Sequence, residues 1–230
     1  MSYPGNLSDF INRAMAYTWD QSHGYEIGGM GYPDFDCSGF VGRCLHEAGF
    51  NYPSYHIGTR NMDDNPMSQI NSLGAAGFTL IHVTDLNNIP PLQHGDIFVL
   101  NSYYSDWSDR YGHTFIYCEN IAAYTDSSAY SDAVGVVAHA KVEASSSRGN
   151  SNPGDSRRDG TGAYWEVWSH AYGTLVDSVY DPQSTSYHNF VTIARWGEDP
   201  LKDILFLKRI RDGQYHLDNW GNKFYRGRII

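Results

Sequence analysis

Phe35-Asp36-Cys37-Ser38-Gly39-Phe40-Val41-Gly42-Arg43-Cys44-Leu45-His46-Glu47-Ala48-Gly49, residues 35–49, reads as one amphipathic helix with both ends marked. Asp36 suits the N-cap, because its carboxylate can accept the free N–H groups of the first turn. Phe40, Val41, Cys44, Leu45 and Ala48 recur at helical spacing, and Gly49 is a C-terminal stop. The first helical residue is then Cys37. Unsatisfied N–H groups and the positive end of the helix dipole stabilise a thiolate there. Ser38 and Gly39 keep the turn small, so a carbonyl carbon can approach the sulfur while the Cys37 N–H serves as an oxyanion donor. The competing reading is simple packing, since cysteine is among the most buried residue types. Cys44 and Cys118, set among apolar neighbours, take that second reading.

Upstream, Ser8 can cap a helix whose Phe10, Ile11, Ala14 and Met15 share a face, before a turn-rich stretch from Gln21 to Pro33. Downstream, Asn65-Pro66 predicts a short helix through Met67, Ile70 and Leu73 to the breaker at 74–77. The period then changes to two. Thr79–Val83, Asp96–Leu100, Thr114–Glu119, Val134–His139, Tyr164–Trp168 and Phe190–Arg195 read as strands, with a Gly- and Ser-rich loop over 145–162. Helices first and strands afterwards predict an α+β domain, N-terminal helices packed on an antiparallel sheet. That domain spans 1–198. Residues 199–230 form an extension, a strand at 204–210 and a hairpin from 214–217 and 223–225, either separate or part of the same domain.

Composition narrows the function classes. With 230 residues, 41% hydrophobic and 18% charged, the chain can bury a real core. A formal charge of -10 has the wrong sign for a nucleic-acid-coating or membrane-surface patch, so no nucleic acid is expected as a partner. No apolar run is long enough to insert into a membrane, and residues 1–20 lack the uninterrupted apolar segment of a secretory signal. Three cysteines argue against a disulfide framework.

A thiol nucleophile needs a base. Of the ten histidines, His113 follows Gly112 and is predicted to start a strand, where it can project into a cleft while Phe115 and Tyr117 pack. His139, at the end of the Val136-Val137-Ala138 run, can hold the imidazole in the right tautomer. Glu119 and Glu143 are its rivals. The acidic clusters at 63–64, 106–109 and 126–132 fit no calcium-loop spacing and read as solvated faces. His46-Glu47 lacks the second histidine of a helical zinc motif, so no metal and no other cofactor is called for.

Tyr25-Glu26-Ile27-Gly28-Gly29, Phe35 to Val41, Gly95-Asp96-Ile97-Phe98, Gly112-His113-Thr114-Phe115-Ile116-Tyr117 and Ala138-His139-Ala140 occur in that order, and together they resemble the NlpC-type papain-like peptidoglycan hydrolases. Gly58-Thr59-Arg60-Asn61-Met62, Ala76 to Ile81, and Gly154-Asp155 through Gly160-Thr161-Gly162 are similar to the Pal-like amidase branch of phage endolysins. The resemblance covers about residues 8–196. It implies a papain-like fold in which Cys37 is the nucleophile, His113 the base and then the acid, and His139 the orienting residue. It also implies that Tyr25 adds a hydroxyl to the oxyanion site and that Asp36 and Ser38 line the substrate cleft. Ile27 departs from the family's usual aromatic, and the interval 120–133 is longer than the family's hairpin.

The implied activity is hydrolysis of an amide in bacterial peptidoglycan, the partner, by an N-acetylmuramoyl-L-alanine amidase or a stem-peptide endopeptidase. Without a signal, the enzyme would reach the wall after lysis, from a virion or through a secretion machine. The rival readings are an injected amidase effector toxin and a catalytically silent virion or wall-binding protein. Tyr103, Tyr104, Trp107, Tyr164, Trp165 and Trp168 are available either to stack on sugars or to pack.

Overall fold

A computed structural model describes residues 5–19, 23–31, 34–119, 139–145, 162–168, 176–197, 215–217 and 223–225. Helix α1 spans Leu7–Trp19 and α2 spans Cys37–Glu47. Phe10, Ile11, Ala14 and Met15 of α1 and Phe40, Val41, Cys44 and Leu45 of α2 are all buried in one apolar cluster. These are the two stripes that helical spacing predicts. The cap of α1 differs: Asn6, not Ser8, accepts the Ser8 and Asp9 N–H groups, at 2.9 and 3.3 Å. The Asn6 side chain satisfies two free donors of the first turn from two positions further out.

The sheet strands are β1 (Thr79–Val83), β2 (Ile97–Tyr103), β3 (Asp109–Glu119), β4 (His139–Ser145), β5 (Gly162–Trp168) and β6 (His188–Arg195). They pair antiparallel in the order β1-β6-β2-β3-β4-β5. The molecule is thus a mixed α and β structure with helices against an antiparallel sheet. Alternation divides the side chains between two faces. Ile97, Val99, Ile116, Cys118, Val142, Ala144 and Ala194 meet the helices. Phe98, Leu100, Phe115, Tyr117, Val191 and Ile193 form a second cluster with Val83, Val176 and Tyr180. With both faces covered, all seven residues of β2 are buried.

Two expectations need correction. The helix predicted from Asn65 is absent: the Asn65 side chain donates to the Arg60 carbonyl and the Asp63 carboxylate and accepts from the Met67 N–H, which makes a turn. A short α3, Ser72–Ala75, follows, capped by Asn71. Asp63 is fully buried, not part of a solvated face, and it also accepts the Thr192 hydroxyl at 2.7 Å. β4 is described from His139; residues 134–138 of the strand predicted over 134–139 lie outside the described residues, as do the predicted strand at 204–210 and most of the 145–162 loop. The C-terminal hairpin is present as β7 (Tyr215–Leu217) paired with β8 (Lys223–Tyr225).

A candidate thiol active site

Cys37 opens α2, and Asp36 is its N-cap in extended backbone conformation. One carboxylate oxygen of Asp36 accepts the Gly39 N–H at 2.6 Å and the Ser38 hydroxyl at 2.9 Å; the other accepts the Gly28 N–H at 2.7 Å and lies 2.8 Å from His56 Nε2. Burial works against ionising this carboxyl, but the His56 and backbone hydrogen bonds outweigh it and hold its pKa below the ordinary value. Asp36 and Ser38 are both buried. Their polar atoms bond to each other, to two backbone N–H groups and to His56. They fix where the sulfur sits.

The paired glycines have a steric reason. Gly28 adopts φ +83, a conformation that costs a side chain strain. A Cβ on Gly39 would fall 1.8 Å from the Gly29 carbonyl oxygen, so the first turn of α2 packs directly on the backbone of the 26–29 turn. That contact carries Tyr25 to the thiol. The Tyr25 phenol neighbours Cys37, whose backbone and side chain both act on its ionisation. Burial, then the neighbouring Cys37 and Asp36, push the phenol pKa up, so the hydroxyl stays protonated and can donate. Ile27, at the place of the family's aromatic, is 88% exposed.

His113 lies in the middle of β3, not at its start. Ile116 pairs with Val142, so Glu143, one residue beyond, turns to the opposite face from Ile116, the face that Phe115 and His113 share. His113 Nε2 stands 2.5 Å from Glu143 Oε2, and Glu143 is 2% exposed. Lys141 Nζ balances the other Glu143 oxygen at 2.9 Å. Burial alone would lower the His113 pKa, but hydrogen bonds and charge interactions with Cys37 and Glu143 overcome it and push the value up to about 10. The imidazole therefore rests between a thiol and a carboxylate, in its cationic form at neutral pH.

His139 is the first residue of β4 and pairs with Glu119 of β3 and Trp168 of β5. Glu119 is six residues along β3 from His113, roughly 20 Å at strand rise. The carboxylate that His113 meets is Glu143, four residues downstream, one of the two rivals named from the sequence. Cys37 is 6% exposed, mostly enclosed yet not sealed, while Cys44 and Cys118 are fully buried. Tyr180 adds a further side chain: it is buried, and burial and then the charge of Cys37 push its pKa up. No spacing signal pointed to it.

Of the predicted sugar-stacking aromatics, Tyr103 is 1% exposed and donates to Asn65 Oδ1, so it is core. Tyr104 and Trp107 are exposed, and Tyr164, Trp165 and Trp168 lie on β5. Among the described residues no three His, Cys, Asp or Glu side chains gather as a metal site, and no helix is long and apolar enough to cross a membrane. No family model, curated protein or solved structure matches the chain.

Proposed function

We propose that the protein is a cysteine-dependent hydrolase that cuts an amide bond in the peptide part of bacterial peptidoglycan, as an N-acetylmuramoyl-L-alanine amidase or a stem-peptide endopeptidase of phage or prophage lysin type. The observation that carries this reading is His113 held between the Cys37 thiol and the Glu143 carboxylate. The resemblance of five ordered sequence blocks to NlpC-type enzymes supplies the substrate class. A helix that starts at the thiol and packs on an antiparallel sheet bearing the base is consistent with the papain-like architecture this reading implies.

The chemistry follows from the protonation states. The Cys37 sulfur attacks the amide carbonyl carbon, and the developing oxyanion takes hydrogen bonds from the Cys37 N–H and the Tyr25 hydroxyl. The C–N bond breaks as the imidazolium gives its proton to the leaving amine. Acylation removes the sulfur charge, and with it one of the interactions that raise the His113 pKa. The now neutral imidazole takes a proton from water, whose oxygen attacks the thioester; the C–S bond breaks, releasing a carboxylic acid and returning the Cys37 thiolate beside the imidazolium. Glu143 holds the ring throughout and favours its cationic form.

Cys37→Ala is expected to reduce release of new amino groups from purified walls by at least about 10³-fold. EDTA should leave the wild-type rate intact while iodoacetamide abolishes it. Equal turnover by the variant and the wild type would dispose of the proposal. Mass spectrometry of the released fragments identifies the bond by its new terminus.

A further inference from the structure

Four of the five described arginines face a carboxylate. Arg13 and Arg43 meet Glu47 at 3.7 and 2.5 Å, Arg60 meets Asp109 at 3.5 Å, and Arg195 meets Asp96 at 2.7 Å. Arg110 is the exception. Its Nη1 donates to Ser102 Oγ at 3.2 Å and to the Val179 carbonyl at 3.3 Å, and among the described residues its Nε and Nη2 reach no partner. Those two nitrogens form one edge of the guanidinium, with N–H groups set to bind both oxygens of a carboxylate. The group is also held in place: its centre lies 3.6 Å from the Tyr187 ring centroid and 4.7 Å from that of Tyr111. A guanidinium fixed by two rings and two hydrogen bonds has little freedom left to lose on binding.

Its location ties it to the base. Ser102, which takes one Nη1 bond, shares a face of β2 with Leu100, the residue that pairs with His113, and Val179, whose carbonyl takes the other, precedes the buried Tyr180. Asp177, the nearest acid in that segment, is occupied as a cap, accepting the Val179 N–H at 3.1 Å and facing Ser178 Oγ at 3.4 Å. In a chain of formal charge -10, a half-buried cation that meets no acid among the described residues, on the sheet face that carries His113, is unusual in its surroundings.

We infer that Arg110 is a specificity residue that binds a free carboxylate of the peptide substrate by the Nε–Nη2 edge of its guanidinium. This deepens, and rests on, the reading of the site as a wall-peptide hydrolase. Amides flanked by a free carboxylate are then the favoured substrates, and those whose carboxylates have been converted to carboxamides are discriminated against.

The test measures binding to the full-length Cys37→Ala chain, which holds substrate without cutting it. The two probes are a synthetic muramoyl tripeptide with free carboxylates and the same peptide with every carboxylate amidated, compared by calorimetry. The Arg110-containing chain is expected to bind the free acid about tenfold or more tighter than the amide, and Cys37→Ala/Arg110→Gln should bind the two alike. Arg110→Lys, which keeps the charge but loses the planar fork, should retain part of the preference and guards against misfolding of the glutamine variant. Equal binding of the two probes by the Arg110-containing chain, or binding of neither, overturns the inference. Thiol-dependent release of amino groups from walls would stand or fall separately, by its own assay.

Discussion

The protonation of one imidazole bears on stability and, in the reaction we propose, on rate. Glu143 and Cys37 raise the His113 pKa to about 10 from the ordinary 6.5. A raised histidine pKa means the folded state holds its proton more tightly than the unfolded chain. The stabilisation is therefore complete below about pH 6.5 and is lost as pH climbs towards 10. Glu143→Gln removes one raising interaction. Its His113 resonance, followed by NMR, should titrate at lower pH than in the wild type, and the alkaline limb of kcat/KM should shift the same way. The rate should fall by about 10² to 10³-fold, since the ring loses its anchor and the imidazolium its counter-charge. A rate loss without any shift of the titration would mean that Glu143 only packs.

At the scale of elements, the junction between the 26–29 turn and α2 is where a single methyl group should matter most. Gly39→Ala places a Cβ 1.8 Å from the Gly29 carbonyl oxygen, a contact that backbone must move to relieve. The expected result is a destabilisation of about 1–3 kcal/mol in urea unfolding, with a larger proportional loss of activity because Tyr25 moves relative to Cys37. The two long helices could be read from the sequence because local signals agree there: a capping side chain, apolar stripes at 3.6-residue spacing and, for α2, a glycine stop at Gly49 with φ +81. The strands were readable as strands, but which of their residues face one another was not. Glu143 meets His113 through the register of β3 with β4, a pairing between segments distant in sequence. Asn65 misled because Asn-Pro suits a helix start and a turn equally, and the decision lay with the Arg60 carbonyl and Asp63, its hydrogen-bond partners.

Across the whole molecule, the six-stranded sheet depends on one buried ion pair. Arg195 of β6 donates from Nε and Nη2 to the two Asp96 oxygens at 2.8 and 2.7 Å, just ahead of β2, and both residues are almost fully enclosed. Removing one member leaves a charge in a dry interior, so Asp96→Ala is expected to cost about 3–5 kcal/mol, read as a lower urea midpoint. A change below about 1 kcal/mol would show that water reaches the guanidinium. The adjoining Gly95-Asp96 block, part of the sequence resemblance, thus serves the scaffold rather than the chemistry.

The three thiols differ in a way that makes the chain its own folding gauge. Cys44 and Cys118 have no exposed surface, Cys37 retains a little, and none is in a disulfide. A maleimide dye should label the native protein once per molecule and the urea-denatured protein three times. The ratio of the two then reports what fraction of any preparation or variant has closed its interior, independently of whether it can still act on a wall.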